Sequence, residues 1–203
     1  RRVLFRSAGS GLTSITLPSG VSEIKTGTFE CCENLENVNL TNGLKIIGKY
    51  AFYNCNIINI TIPNSVTQIE ENSFYSCSNL ETAALSNNLE SIGESAFANC
   101  AKLKAITIPT KVKGIGKSAF SNCISLNKVN INSRYSFAIK ANTFNGCSSL
   151  DSINLPSNIV GIDEKAFYNS GIKNIQLHSG VRYIGDNAFE NCLNLKEITI
   201  PTS

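Results

Sequence analysis

Phenylalanine recurs at Phe29, Phe52, Phe74, Phe97, Phe120, Phe144, Phe167 and Phe189, at intervals of 22–24 residues. Three residues after each stands a cysteine: Cys32, Cys55, Cys77, Cys100, Cys123, Cys147 and Cys192, with Ser170 taking the remaining place. Only Cys31 lies outside that column. All five prolines, Pro18, Pro63, Pro109, Pro156 and Pro201, share one further position of the same frame. Three residue types in one register define an internal repeat, and a period of roughly 20–50 residues marks a solenoid, a propeller or an array.

One unit reads L-x-x-I-x-I-P-x-x-V-x-x-I-G-x-x-A-F-x-N-C. The L-x-x-I-x-I piece places Ile or Val at alternate positions, a short strand signal. Proline ends it, because proline has no N–H for a ladder. The stretch GESAFANC is too short for an independent helix; it reads as one helical or 3₁₀ turn with the phenylalanine inward. The residue before the cysteine column is Cys31, Asn54, Ser76, Asn99, Asn122, Gly146, Asn169 or Asn191. Asn and Gly at such a point predict a left-handed backbone.

A unit with one strand cannot close a core alone. Stacked units can, with parallel strands about 4.8 Å apart and each apolar column forming a continuous stripe. Nine strand segments follow, with inward pairs Ile15/Leu17, Val38/Leu40, Ile60/Ile62, Ala83/Leu85, Ile106/Ile108, Val129/Ile131, Ile153/Leu155, Ile175/Leu177 and Ile198/Ile200.

This motif, running over about residues 10–203, resembles the BspA-like, or Treponema pallidum-type, leucine-rich repeats. The resemblance implies an α/β, right-handed leucine-rich-repeat solenoid. Its parallel β-sheet would lie on the concave side, with short helical or 3-10 turns on the other. It implies one domain over 1–203, of about eight to nine coils of 22–24 residues, with 1–9 degenerate or foreign to the repeat, in a piece of a longer protein. Relatives of this kind are surface or secreted proteins of microbes associated with adhesion. The implied function is therefore a non-enzymatic binding module at the cell surface or secreted, with a host-cell or matrix protein or a glycan as partner. The rival reading is a structural spacer or intracellular interaction scaffold.

Four readings compete for the cysteine column. Zinc wants close ligand pairs converging on a point, whereas these cysteines come one per coil, and His178 is the only histidine. A disulfide ladder would join side chains that run parallel, with Cβ atoms too far apart. A reactive thiol needs exposure and a basic neighbour, and none recurs. Packing beside the phenylalanine stripe fits best, and Ser170 agrees with it. Cys31, beside the column, is the thiol best placed to react. With no catalytic constellation, phosphate loop or cofactor motif, the chain reads as no enzyme, with no cofactor and no metal.

The function must then lie in residues that do not repeat. One set is the outward strand row Thr16, Asn39, Thr61, Ala84, Thr107, Asn130, Asn154, Gln176 and Thr199. It is a polar concave face with few charges and no Trp, Tyr or Arg, the usual anchors of tight interfaces. Asn39 and Asn59 head glycosylation sequons on this face, where glycans would crowd the sheet.

The other set is basic. Net charge is only +3, but no acid stands between Glu94 and Asp151, while Lys102, Lys104, Lys111, Lys113, Lys117, Lys128, Arg134 and Lys140 do. With Tyr135 these predict a band that captures an acidic ligand, or a merely solvated rim. A lone aromatic and no known module argue against nucleic acid. NSRYSF at 132–137 replaces P-x-x-V, and the 24-residue interval there predicts a bulge at the sheet's edge. No apolar run approaches the roughly 18 residues of a membrane span, so direct membrane insertion is not expected. An end coil without a polar cap leaves open end-to-end self-association.

Overall fold

Alternating Ile and Val do form the expected strands. In the computed structural model, which describes residues 7–199, nine strands from Ser14–Thr16 to Glu197–Thr199 pair in chain order into one sheet. Every pairing is parallel, as one strand per stacked coil requires. In the strands Ala105–Ile108 and Lys128–Ile131, Ile106 faces Val129 and Ile108 faces Ile131. These four are buried, while Ala105, Thr107 and Lys128 between them are exposed. Inward pairs along the sheet take the positions predicted for them; Ile200 lies outside the described residues.

After each strand the chain turns back, and prolines mark the turn in every second coil. The coils between carry Thr41, Ser86, Asn132 and His178 instead. At that position, or one residue past it, a side chain bonds to a carbonyl of the preceding coil: Thr41 to Pro18, Ser86 to Val66, Ser133 to Val112 and His178 to Leu155, at 2.5–3.3 Å. The single histidine is thus a coil-to-coil brace. A second, shorter sheet follows, built from Glu23–Ile24, Ile46–Ile47, Gln68–Ile69 and Ser91–Ile92. Beyond it the pairing thins to a single bridge, Ile92 to Ile115. It resumes as Phe137–Ile139 against Ile159–Ile162, with a register shift between Phe137 and Ala138. The register shift thus falls in the second sheet, just past the 132–137 segment where a bulge is predicted, and the residue it leaves unpaired is Val160 of the neighbouring coil.

The side opposite the long sheet corrects one expectation. It holds no α-helix or 3₁₀ turn among the described residues, so the α/β label does not hold. A helix sends every N–H back along its own chain. Here every second N–H goes sideways: Ser95, Phe97 and Asn99 donate to Lys117, Ala119 and Ser121 of the next coil, each at 2.8 Å. The N–H groups between them close tight turns, Ala98 onto Ser95 and Cys100 onto Phe97. This alternation requires a left-handed residue two before and two after each phenylalanine. Those positions have φ near +55°, from Gly27 and Cys31 to Asn187 and Asn191. The left-handed residue predicted before each cysteine is present in all eight coils. Residues 7–10 continue the same ladder: Ser7 and Gly9 donate to Thr28 and Glu30 of the next coil.

Inside the coils the eight phenylalanine rings stack at centroid spacings of 5.1–5.8 Å, with planes within 20° of parallel. Offset stacking of aromatic rings adds attraction beyond burial. Beside them stand the seven column cysteines, all buried and all free thiols. They do more than fill space. Cys55, Cys77, Cys100, Cys123, Cys147 and Cys192 each donate S–H to the carbonyl of a phenylalanine in the preceding coil, at 2.9–3.2 Å. Ser170 bonds instead to the Cys192 sulfur, at 3.3 Å.

Candidate binding surface

The outward positions of the long sheet form two exposed rows. One runs Ser14, Asn37, Asn59, Thr82, Ala105, Lys128, Ser152, Asn174, Glu197. The other holds Thr16, Asn39, Thr61, Thr107, Asn154, Gln176 and Thr199, with Asn130 half-buried. Side chains across neighbouring strands touch, as where Thr82 donates to Asn59 at 2.6 Å. The surface dips where Ala84 and Ala105 replace longer residues. A shallow hollow of about 570 Å³ lies there, lined by Thr61, Thr82, Thr107, Thr110, Asn87 and Asn132 around the two alanines. A second hollow, about 340 Å³, lies over Ser14–Thr16, Asn37–Asn39 and Asn59, and none of its lining residues is charged.

The basic residues do not form one band. Stacking spreads them around the coil. Lys104 and Lys128 flank or sit in the long sheet, and Lys111, Lys113, Arg134 and Tyr135 occupy the turn between the sheets. Lys117 and Lys140 lie where the turn chain begins, and Lys102 lies where it returns. Stacking also brings acids from neighbouring coils. Lys104 pairs with Glu81 at 2.7 Å, Lys113 with Glu90 at 2.6 Å and Lys140 with Asp163 at 3.7 Å. The hydrogen bond and charge of Lys104 hold the Glu81 carboxyl below its usual range, and Lys113 does the same to Glu90. The Lys113 ammonium is raised in turn. The stretch that carries no acid along the chain is thus partly neutralised in space. Offsets of 23 residues from Glu81 to Lys104 and from Glu90 to Lys113, one repeat each, were the available signal.

What stacking does bring together is a compact group at the irregular turn. The Arg134 guanidinium lies 5.5 Å from the Tyr135 ring centre and the Lys113 ammonium 6.0 Å, within cation–π range. Lys111 donates to Asn88 at 2.7 Å. The backbone beneath is held on several sides. Ser133 is buried and accepts from the Tyr135 N–H, and Arg134 N–H donates to Thr110. The Asn158 amide donates to both the Ser133 and the Tyr135 carbonyls, at 2.9 and 2.8 Å. This loop is fixed in place before any ligand arrives.

On the opposite side, sequence reasoning passed over three tyrosines. Tyr53 and Tyr75 stack at 5.1 Å, with planes 4° apart, and Tyr50 tilts against Tyr53 at 5.7 Å. Tyr53 and Tyr75 both follow the phenylalanine column directly, in adjacent coils, and that shared position was the signal.

The buried thiols are poor candidates for chemistry. Burial pushes Cys77 and Cys147 up to about 12, and it raises Cys55, Cys100 and Cys123 as well. A thiol so far above neutral carries almost no thiolate. Cys31 alone is half-exposed. Among the described residues no three His, Cys, Asp or Glu side chains converge as metal ligands. No helix among them is long and apolar enough to cross a membrane.

A stack of similar coils with an open polar sheet is a repeat scaffold, whose variable residues face outward. The BspA type leucine rich repeat region matches residues 3–127 and 113–203, so the chain belongs to that family. No curated protein matches the sequence. Among solved structures, a leucine rich cell surface protein from Faecalibacterium prausnitzii is 28% identical, with 95% of this chain and 60% of that one covered and a TM-score of 0.62. The T. pallidum leucine rich repeat protein is 23% identical, covering 91% and 78%, with a TM-score of 0.61. The pneumococcal vaccine antigen PcpA is 21% identical, covering 92% and 61%, with a TM-score of 0.53. The chain spans less than two thirds of the Faecalibacterium and pneumococcal proteins. The last two likenesses bear on the fold alone.

Proposed function

We propose that this chain is a non-enzymatic binding and adhesion module of a microbial surface or secreted protein. Its partner is a protein or glycan on host cells or matrix. The observation that carries this is the open face of the nine-stranded sheet. Its outward Thr, Asn and Ser side chains are exposed, whereas the repeating residues are consumed by the core. Likeness to a Faecalibacterium cell surface protein supports the location. The face has hydroxyls and amides in rows but no large anchors, so binding is weak per site and gains strength by multivalency.

The test is saturable binding of the full chain, presented in many copies on beads, to epithelial cells and matrix proteins. Saturation that soluble chain competes away supports adhesion. Beads that bind no better than bare ones would leave the spacer reading. Charge reversal at Lys111, Lys113 and Arg134 then separates the two surfaces: binding through the basic turn is lost, whereas binding elsewhere on the sheet persists.

A further inference from the structure

The larger hollow on the long sheet and the fixed basic turn are neighbours. Thr110 lines the hollow, Lys111 follows it in the chain, and the Thr110 carbonyl accepts the Arg134 N–H at 3.2 Å. We propose that the hollow over Ala84 and Ala105 binds an acidic oligosaccharide, its carboxylate or sulfate groups held by Lys111, Arg134 and Lys128. This deepens the adhesion reading and rests on it.

Three features point to that chemistry. The floor is two methyl groups, Ala84 and Ala105, suited to the C–H face of a sugar ring. The walls carry hydroxyls and amides from Thr61, Thr82, Thr107, Thr110, Asn87 and Asn132, which can both donate to and accept from sugar hydroxyls. Glu81 also lines the hollow, its charge offset by the ion pair with Lys104 at 2.7 Å. Three cations stand beside lining residues, by strand pairing or along the chain. Lys128 stands beside Ala105 across the strand pair, and Lys111 and Arg134 stand at the turn. Among the described residues none of these three has a carboxylate within ion-pair distance, whereas Lys104 and Lys113 do. Its volume falls within the roughly 300–1,000 Å³ usual for small-ligand sites.

An acidic peptide fits less well. The strands Thr82–Ala84 and Ala105–Ile108 are paired on both sides, so no free backbone edge is there for an extended peptide to join. The uncharged hollow over Ser14–Thr16 and Asn37–Asn39 serves as an internal control. It has the same kind of walls and no basic rim.

The experiment is calorimetric titration of the full chain with four probes. They are a heparin-derived tetrasaccharide, a polygalacturonate-derived tetrasaccharide, neutral maltotetraose and a short polyglutamate. The expected result is saturable binding of one or both acidic sugars, weakened by salt, with maltotetraose and polyglutamate much weaker. Which acidic sugar binds tells sulfate from carboxylate as the source. Ala84→Trp, at an outward position that fills the hollow, and the double variant Lys111→Gln/Arg134→Gln should each weaken binding by about ten-fold or more. Asn37→Trp, in the control hollow, should leave it unchanged, and thermal melts confirm that each variant folds. Polyglutamate binding as tightly as the sugars, with Ala84→Trp silent, would overturn the proposal in favour of a plain electrostatic surface. So would equal binding of maltotetraose, or no saturable binding of either acidic sugar. If cells bind the chain but acidic sugars do not, this inference fails and the adhesion reading stands; the reverse result removes adhesion alone.

Discussion

Two stretches of the second sheet differ sharply. From Glu23 to Ile92 its strands pair in an unbroken, in-register run. From Ile115 to Ile184 it is reduced to bridges and one bulged pair. Yet the phenylalanine stack and the long sheet pass through both stretches without a break. The irregularity around the 24-residue interval before Phe144 spreads over several coils of the second sheet but does not reach the other columns. A solenoid is nearly one-dimensional, with each column bonded to its own neighbours above and below. An irregularity can therefore be confined to one column, here the turn that presents Arg134 and Tyr135.

If confinement is right, the core should not register it. Phe52→Ala, in the regular stretch, and Phe120→Ala, in the irregular one, should each cost about 3–5 kcal/mol in chemical denaturation. A clearly smaller loss for Phe120→Ala would mean that the bulge loosens the core as well. The next largest effect concerns backbone approach between coils. A Cβ at Gly116 would run into the Gly93 carbonyl and the Glu94 nitrogen of the preceding coil, whereas Gly114 has open space. Gly116→Ala should cost on the order of 1–3 kcal/mol. Gly114→Ala should be neutral or slightly stabilising. Equal effects at the two glycines would contradict the stacking distance.

A smaller effect, of opposite sign, is expected at Lys165. It holds φ +54°, where neighbouring coils place Asn142 and Asn187. Asn tolerates that region better than Lys, so Lys165→Asn should raise stability by roughly 0.5 kcal/mol. The lost Lys165–Glu164 pair is exposed and contributes little. An unchanged or lowered melting temperature would count against the strain. The smallest effect is pH-dependent and sits at the boundary of the two stretches, where Lys113 pairs with Glu90. Lys113 depresses the Glu90 carboxyl in the folded chain. The pair's contribution is thus present above the ordinary carboxylate range and is lost as pH falls through the lowered folded value. Glu90→Gln should flatten that part of the acid stability profile; an identical profile would show the pair to be idle.

Much of this fold is legible in the sequence because columns are local facts repeated. Eight phenylalanines at one spacing fix the coil length. The Asn, Ser and Gly before the cysteines mark the left-handed backbone. Alternate Ile and Val mark the strands. The cysteine column reads correctly as packing, but its S–H bonds to phenylalanine carbonyls do not show in the pattern, since they join atoms 25–27 residues apart. The turn chain is misread as helical for a similar reason. Eight residues around GESAFANC satisfy a helix's local rules, and only the neighbouring coil reveals where the alternate N–H groups go. The basic stretch is the largest departure. A run without acids is real along the chain, but Glu81, Glu90 and Asp163 meet it from the coils on either side.

The sequence alone determined the repeat, the coil length and the inward residues, because each depends on spacing within one coil. Only the tertiary structure decided which charges remain unpaired, where the sheet face dips, and that Arg134 and Lys113 flank one tyrosine ring. Those features arise between coils, where residues about 23 apart become neighbours, and there stacking geometry rather than chain order sets the distances.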